Sequence, residues 1–143
     1  MPTVAQLLDT KSRDVWSISP QATVYDAIKE MAERKVGALA VVEDDTLAGI
    51  VSERDYARKV ILQHRSSRDT PVSAIMTDKV VYVRPEQSLE DCMALMTAKH
   101  IRHLPVMQDD RLVGMLSIGD LVKSILADKE LLIEQLEGYI TGR

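Results

Sequence analysis

Gly114-Met115-Leu116-Ser117-Ile118-Gly119-Asp120 repeats, sixty-five residues on, the pattern of Gly49-Ile50-Val51-Ser52-Glu53-Arg54-Asp55. In each stretch a short apolar run gives way to a helix-like segment, and a Ser stands three residues before an Asp. That spacing caps a helix: the Ser hydroxyl accepts from the amide of the Asp, and the carboxylate favours the positive end of the helix. The same place also suits a ligand. A helix start offers amides to a phosphate, and a nearby carboxylate can take both hydroxyls of a ribose. Gly114 would let a ligand come close to the backbone. On local pattern alone the cap is the commoner reading, and only the wider context raises the odds of binding.

The correspondence extends far beyond these residues. With a shift of 65, Val15–Ile61 lies over Val80–Leu126 without a gap, and 12 of the 47 pairs are identical, among them Pro20/Pro85, Met31/Met96, Leu39/Leu104 and Asp44/Asp109. Unrelated segments of average composition would share roughly three. Each copy reads β-α-β-β-α. A short strand, Trp16–Ile18 or Val81–Val83, ends at a Pro, which cannot donate to a ladder. Thr23-x-x-Asp26 and Ser88-x-x-Asp91 then resemble capping boxes with Asp for Glu. Val24, Ala27, Ile28 and Met31 recur at helical spacing, as do Leu89, Cys92, Met93 and Met96. Strands over Leu39–Val42 and Leu47–Val51 flank the acidic turn Asp44-Asp45, and Leu104–Met107 and Leu112–Leu116 flank Asp109-Asp110. Final helices follow over Glu53–Gln63 and Ile118–Leu126. One such unit is too small to bury its sheet well, so the two should pack together.

The polar stretch 64–71, ending in Pro71, reads as a linker. Val72–Met76 resembles Val4–Leu8, so this short element also repeats. The expected organisation is a first repeat over 1–70, a second over 71–127 and a helical extension over 128–143. Leu132, Leu136, Tyr139 and Ile140 form an apolar stripe on that extension, which either covers the chain's own core or meets a partner.

Composition narrows the function. The 143 residues are 45% hydrophobic and 28% charged, as in an ordinary globular protein. No apolar run is long enough to span a bilayer, and the N-terminus has no signal-peptide pattern. One cysteine, Cys92, allows no internal disulfide and fits a reducing, cytoplasmic setting. A net charge of -4 with 3% aromatics makes nucleic acid an improbable partner. The three histidines, His64, His100 and His103, have no second Cys or His-Glu pair at ligand spacing, so no metal site is expected. No nucleophile elbow, phosphate-binding Gly-Lys-Ser/Thr loop or Cys/His dyad is visible, so no catalysis is expected. Arg102 and His103 precede a strand where the first copy has Gly37 and Ala38, so one copy carries two potential phosphate-binding side chains. Standing alone, they would read as a solvated strand entry. Arg54, where the second copy has Gly119, either pairs with Asp55 or reaches a phosphate.

Two β-α-β-β-α units, a Gly-h-h-Ser-x-x-Asp at the end of each (h apolar), and Ile101-Arg102-His103-Leu104-Pro105-Val106 together resemble tandem CBS domains, named after cystathionine β-synthase. The resemblance runs from about Val4 to Leu126, and the tail resembles that of small stand-alone bacterial pairs. It implies an α/β (α+β) fold with the two repeats about a pseudo-two-fold axis, two clefts between them, and often a homodimer. It implies no required cofactor but an adenosine-containing ligand: AMP, ADP, ATP, NAD or S-adenosylmethionine. On this resemblance Asp120 and Ser117 would hold the ribose in one cleft with Arg102 and His103 on the phosphate. Val36, Gly37, Leu8, Met115 and Ile101 would line the adenine. Asp55 and Ser52 would serve the other cleft, with Arg54 on the phosphate and Ile50 and Met76 in the lining. The implied function is a sensor that signals to a partner protein by population shift. A protein- or nucleic-acid-interaction scaffold with vacant clefts is the alternative, and an enzyme acting on a nucleotide is the third class.

Overall fold

The computed structural model describes residues 2–11 and 14–141; the side chains of Tyr139 and Thr141 lie outside the description, so the Tyr139 member of the expected stripe does too. The elements are α1 (Val4–Thr10), β1 (Ser17–Ile18), α2 (Val24–Arg34), β2 (Ala38–Glu43), β3 (Thr46–Ser52), α3 (Glu53–Tyr56), α4 (Leu89–Lys99), β4 (His103–Gln108), β5 (Arg111–Ser117) and α5 (Ile118–Thr141). A π-helical turn over Ala57–Ile61 continues α3, and a 3-10 turn covers Val72–Ala74.

The repeat is written into the backbone. The hairpin turns place Asp44 and Asp45 at φ of 50° and 61°, and Asp109 and Asp110 at the same two values. Positive φ at both central residues marks the tight hairpin whose twist matches its strands, and Asp is among the few side chains that tolerate it. α2 and α4 both end on a left-handed residue, Lys35 or His100. Thr23 and Ser88 cap these helices by accepting from the amides of Asp26 and Asp91 at 3.1 and 3.0 Å.

The compact units divide the chain differently from the bounds 1–70 and 71–127. One unit holds Asp14–Val81 with Asp109–Val113; the other joins the N-terminal segment through Arg13 to Tyr82–Gln108 and to Gly114 onward. The short repeated element therefore serves the opposite repeat from the one it precedes in sequence. In the first unit Val72 and Ser73 donate to the carbonyls of Ala22 and Pro20 (2.8 and 3.0 Å), and Val24 donates to Thr70 (2.9 Å). In the second, Val4 and Ala5 donate to Gln87 and Pro85 (both 2.9 Å), and Leu89 donates to Pro2 (3.1 Å). These bonds correspond one for one. Sequence proximity loses here because α1 brings Val4, Leu7 and Leu8, each at most 4% exposed, into the core of the second repeat. Val72 and Ile75 do the same beside Val24, Met31, Leu39, Val41 and Val51 in the first. Side chains of this kind contribute about 1.5–3 kcal/mol each on burial.

Two differences from the repeat pattern have clear causes. The first unit has a three-stranded sheet in the order β1-β2-β3, with β1 parallel to β2; the second has the pair β4-β5. The strand expected over Val81–Val83 is reduced to a single parallel bridge, Val83 with Val106. In the first unit the amide of Ala40 donates to Trp16 at 3.2 Å. Its counterpart, Pro105, has no amide to give, so the ladder stops one bond short. The expected separate helix over 128–143 is instead the continuation of α5, an unbroken 24 residues, because no Gly or Pro interrupts 120–137. Leu131, Leu132, Ile133, Leu136 and Ile140 on it are exposed, so this segment does not cover the chain's own core.

Candidate ligand-binding site

Both Ser-x-x-Asp motifs form the cap expected of them. Ser52 accepts from the Asp55 amide (3.2 Å) while its own amide donates to Asp55 Oδ2 (2.9 Å). Ser117 accepts from the Asp120 amide (3.1 Å) and donates its amide to Asp120 Oδ2 (2.9 Å). The first amide of each helix is also committed. Glu53 donates to the Gly37 carbonyl at 3.1 Å, and Ile118 donates to the Arg102 carbonyl at 2.9 Å. That bond brings the strand entry of each repeat against its own motif. In the second unit it seats Arg102 and His103 beside the start of α5.

The chemistry of the two motifs differs. Asp55 Oδ2 also accepts from the Ser52 hydroxyl at 3.0 Å, and Asp55 Oδ1 pairs with Lys59 Nζ at 3.2 Å, one helical turn on. Lys59 also donates to the Ile75 carbonyl at 2.9 Å. Both oxygens of Asp55 are thereby engaged. At Asp120 the cation comes from far away in sequence. Lys11 Nζ donates to Asp120 Oδ2 at 2.7 Å and to the Met115 carbonyl at 2.8 Å. The Lys11 ammonium and the Ser117 amide thus converge on Oδ2. Burial pushes the Asp120 carboxyl up, but the Lys11 ammonium and the Ser117 amide and hydroxyl outweigh it and hold the group below its ordinary value. His103 is also held below its ordinary value. Its burial lowers its pKa first, Arg102 and Lys11 add to that, and Asp120 opposes it. Asp120, Ser117, Lys11, Arg102 and His103 thus share one electrostatic environment.

The apolar residues expected at the site are placed in the same way. Leu8 packs against Gly114, where an added Cβ would meet Leu8 Cδ2 at 2.7 Å. The close approach that Gly114 permits is therefore used by the chain's own Leu8. At Gly49 the corresponding position meets the Thr77 carbonyl at 2.7 Å and Met76 Sδ at 2.9 Å. Ile50 exchanges backbone bonds with Thr77 in both directions, at 3.0 and 2.9 Å. Leu8, Ile101, Arg102, His103, Met115, Ser117 and Asp120 fall in the second unit, and Val36, Gly37, Ile50, Ser52, Arg54, Asp55 and Met76 in the first. Lys11 was missed by sequence reasoning. The signal lay in the second internal shift, of 68, which places Lys11 over Lys79, and in Ser124, which stands where the first repeat has Lys59. Cys92 is fully buried, and burial followed by the charge of Asp91 pushes its thiol up to about 11, which fits a packing role.

The CBS-domain family model matches residues 4–62 and 72–127, which take in both motifs and the segments that complete each unit. The chain belongs to the CBS-domain family. A protein with CBS domains from Burkholderia ambifaria, named for signal transduction, is 57% identical in sequence, with a TM-score of 0.87 over 89% of this chain and 96% of that one. The mitochondrial CBS-domain-containing protein CBSX3 of Arabidopsis thaliana is 47% identical over 125 residues, 84% of this chain and 61% of that protein's length. The CBS domain pair of protein MJ0100, solved with 5'-methylthioadenosine and S-adenosyl-L-methionine, shares the fold at 21% identity, with a TM-score of 0.79 over 90% of this chain and 98% of that one. Stand-alone proteins of this family are generally regulatory. Among the described residues no helix is long and apolar enough to cross a membrane.

Proposed function

We propose that this CBS pair is a non-catalytic regulatory module of the cytoplasm that binds an adenosine-containing nucleotide: AMP, ADP, ATP or NAD. One observation carries the reading. At the start of α5, a part-buried Asp120 carboxylate held by Lys11 and the Ser117 amide stands with Lys11, Arg102 and the imidazole of His103 in one electrostatic environment. A carboxylate beside cations suits a ribose hydroxyl pair joined to a phosphate. Asp120 takes the hydroxyls, Ser117 stands by them, and Arg102 and His103 face the phosphate. Leu8, Ile101 and Met115 offer apolar surface to the base. Asp55 and Ser52 make a second site, with Arg54 toward the phosphate and Ile50 and Met76 around it. The second site is the weaker, because Lys59 and Ser52 already engage both oxygens of Asp55. The adenosine compounds held by the MJ0100 pair support this ligand class.

A ligand acts here by favouring the conformation it binds better, and a partner protein reads that conformation. The partner's first contact is a second copy of the chain, met through the exposed apolar residues of α5. The deciding test is calorimetric titration of nucleotide-stripped protein with AMP, ADP, ATP, NAD and S-adenosylmethionine. Saturable binding of at least one is expected, weakened tenfold or more by Asp120→Ala, the size of one hydrogen bond to a charged group. Binding that ignores Asp120→Ala sinks the ribose assignment. Absence of binding by all five leaves Ser-x-x-Asp a plain helix cap.

A further inference from the structure

The two motif aspartates are each held by a lysine, but the lysines are not equivalents. Lys59 lies one turn along the same helix as Asp55. Lys11 follows α1 and is 109 residues from Asp120 in sequence. The position of Lys11 in the other unit is Lys79, and the contrast between the two segments shows what Lys11 replaces. After Met76 the chain is extended, and Thr77 pairs with Ile50 through two backbone bonds. After Leu8 the chain stays helical to Thr10, so no residue of α1 makes that bridge to Met115, the counterpart of Ile50. The Met115 carbonyl instead accepts the Lys11 ammonium. One edge is closed by backbone and the other by a part-buried side chain.

Resting on the nucleotide reading above, we propose that Lys11 is the residue that makes the Asp120 site select phosphorylated ligands over neutral nucleosides. An ammonium donates up to three bonds, and here two go to Met115 O and Asp120 Oδ2. Oδ2 already accepts from both Lys11 and the Ser117 amide, so a ribose that reaches across both carboxylate oxygens displaces Lys11 from Oδ2. The displaced cation then sits in a half-buried site with Arg102 and His103 nearby, and only an anion on the incoming ligand restores its partner. A phosphate does so; adenosine does not. Lys11 therefore opposes neutral nucleosides and assists nucleotides in one step.

The test is calorimetric titration of adenosine and of AMP into the full chain and into its Lys11→Met, Lys11→Gln, Lys11→Arg and Lys79→Met variants, with melting temperatures to confirm folding. Lys11→Met and Lys11→Gln are expected to bind adenosine several-fold more tightly and AMP more weakly. The AMP-over-adenosine preference should fall at least tenfold, the size of one charge-assisted hydrogen bond. Lys11→Arg should retain most of the preference, and Lys79→Met all of it. An unchanged preference in Lys11→Met, with AMP binding still sensitive to Asp120→Ala, overturns the Lys11 assignment and spares the nucleotide reading. Failure of the unaltered chain and of every variant to bind either ligand overturns the Lys11 proposal, and failure with ADP, ATP and NAD as well overturns the nucleotide reading too.

Discussion

Gly49 and Gly114 occupy the same position of the repeat, yet alanine should cost far more at the first. At Gly49 the new Cβ would lie 2.7 Å from the Thr77 carbonyl oxygen and 2.9 Å from Met76 Sδ. The carbonyl cannot yield alone, because Ile50 donates to it and Thr77 donates back to Ile50. Relief requires the backbone at 76–77 to move away, losing two hydrogen bonds of about 0.5–1.5 kcal/mol each on top of about 1–3 kcal/mol of overpacking. Removing glycine from a strand returns about 0.5–1 kcal/mol, so Gly49→Ala should destabilise by about 1.5–5 kcal/mol on these figures. At Gly114 the obstacle is the end of a side chain, Leu8 Cδ2 at 2.7 Å and Cδ1 at 3.0 Å. Leu8 can change rotamer without breaking any backbone bond, so the cost is the overpacking less the glycine gain, about 0.5–2 kcal/mol. A paired test sharpens the point. Leu8→Ala alone leaves a cavity worth about 2–5 kcal/mol, part of which the methyl of Gly114→Ala would fill, so the two changes should couple favourably by about 1 kcal/mol. Urea denaturation of the four variants, with slopes compared alongside midpoints, measures all of this. Gly114→Ala costing as much as Gly49→Ala, or strict additivity with Leu8→Ala, would refute the account of how the short elements seat against the two motifs.

Acid should weaken the fold as pH falls below the ordinary imidazole value, about 6.5. His103 has its pKa lowered by burial, so the unfolded chain takes up a proton as pH falls below about 6.5 while the native chain resists it. Stability due to neutral His103 is present above that value and declines below it, and thermal melts between pH 7 and 5 should show a slope that His103→Asn reduces. The depressed carboxyl of Asp120 acts in the opposite range: its contribution is present above the ordinary carboxylate value and disappears as pH falls through its lower native one. The exposed apolar residues of α5 carry the expectation of self-association. Light scattering should report a dimer that Leu132→Glu with Leu136→Glu converts to a monomer, and a monomeric unaltered chain would refute it.

Side-chain patterning made the repeat, its helices and its hairpins legible in the sequence, because Asp44-Asp45 and Asp109-Asp110, Pro20 and Pro85, and the helical spacing of Val24 to Met31 and Leu89 to Met96 are local signals. The motif residues were legible for the same reason. The lost strand at Val81–Val83 was harder to read, since its cause is the missing amide of Pro105 on the neighbouring strand. Residue 105 alone reads as an ordinary apolar position. The exchange of short elements between repeats was half visible: Val4–Leu8 matches Val72–Met76, but nothing in either stretch says which repeat it completes. Lys11 left the weakest trace, because an ion pair across 109 residues depends on where α1 ends and not on any spacing within a motif.

The origin of each lysine determines what a ligand at its aspartate could move. Displacing Lys59 from Asp55 would disturb one turn of its own helix and the Ile75 carbonyl. Displacing Lys11 from Asp120 and Met115 releases the tie between the C-terminal end of α1 and the strand β5. The body of α1 stays fixed, held by Val4 and Ala5 on Gln87 and Pro85 and by the buried Leu7 and Leu8. The freed end is the one that leads on, within three residues, to Asp14, where the other compact unit begins. A nucleotide that evicts Lys11, as proposed above, would have differential affinity for the tied and released states of the end of α1, which is the thermodynamic requirement for a binding event to be transmitted. Eviction of Lys59 at Asp55 would leave Thr77 held to Ile50 by two backbone bonds, so the larger movement is expected at the Asp120 motif even where both motifs bind.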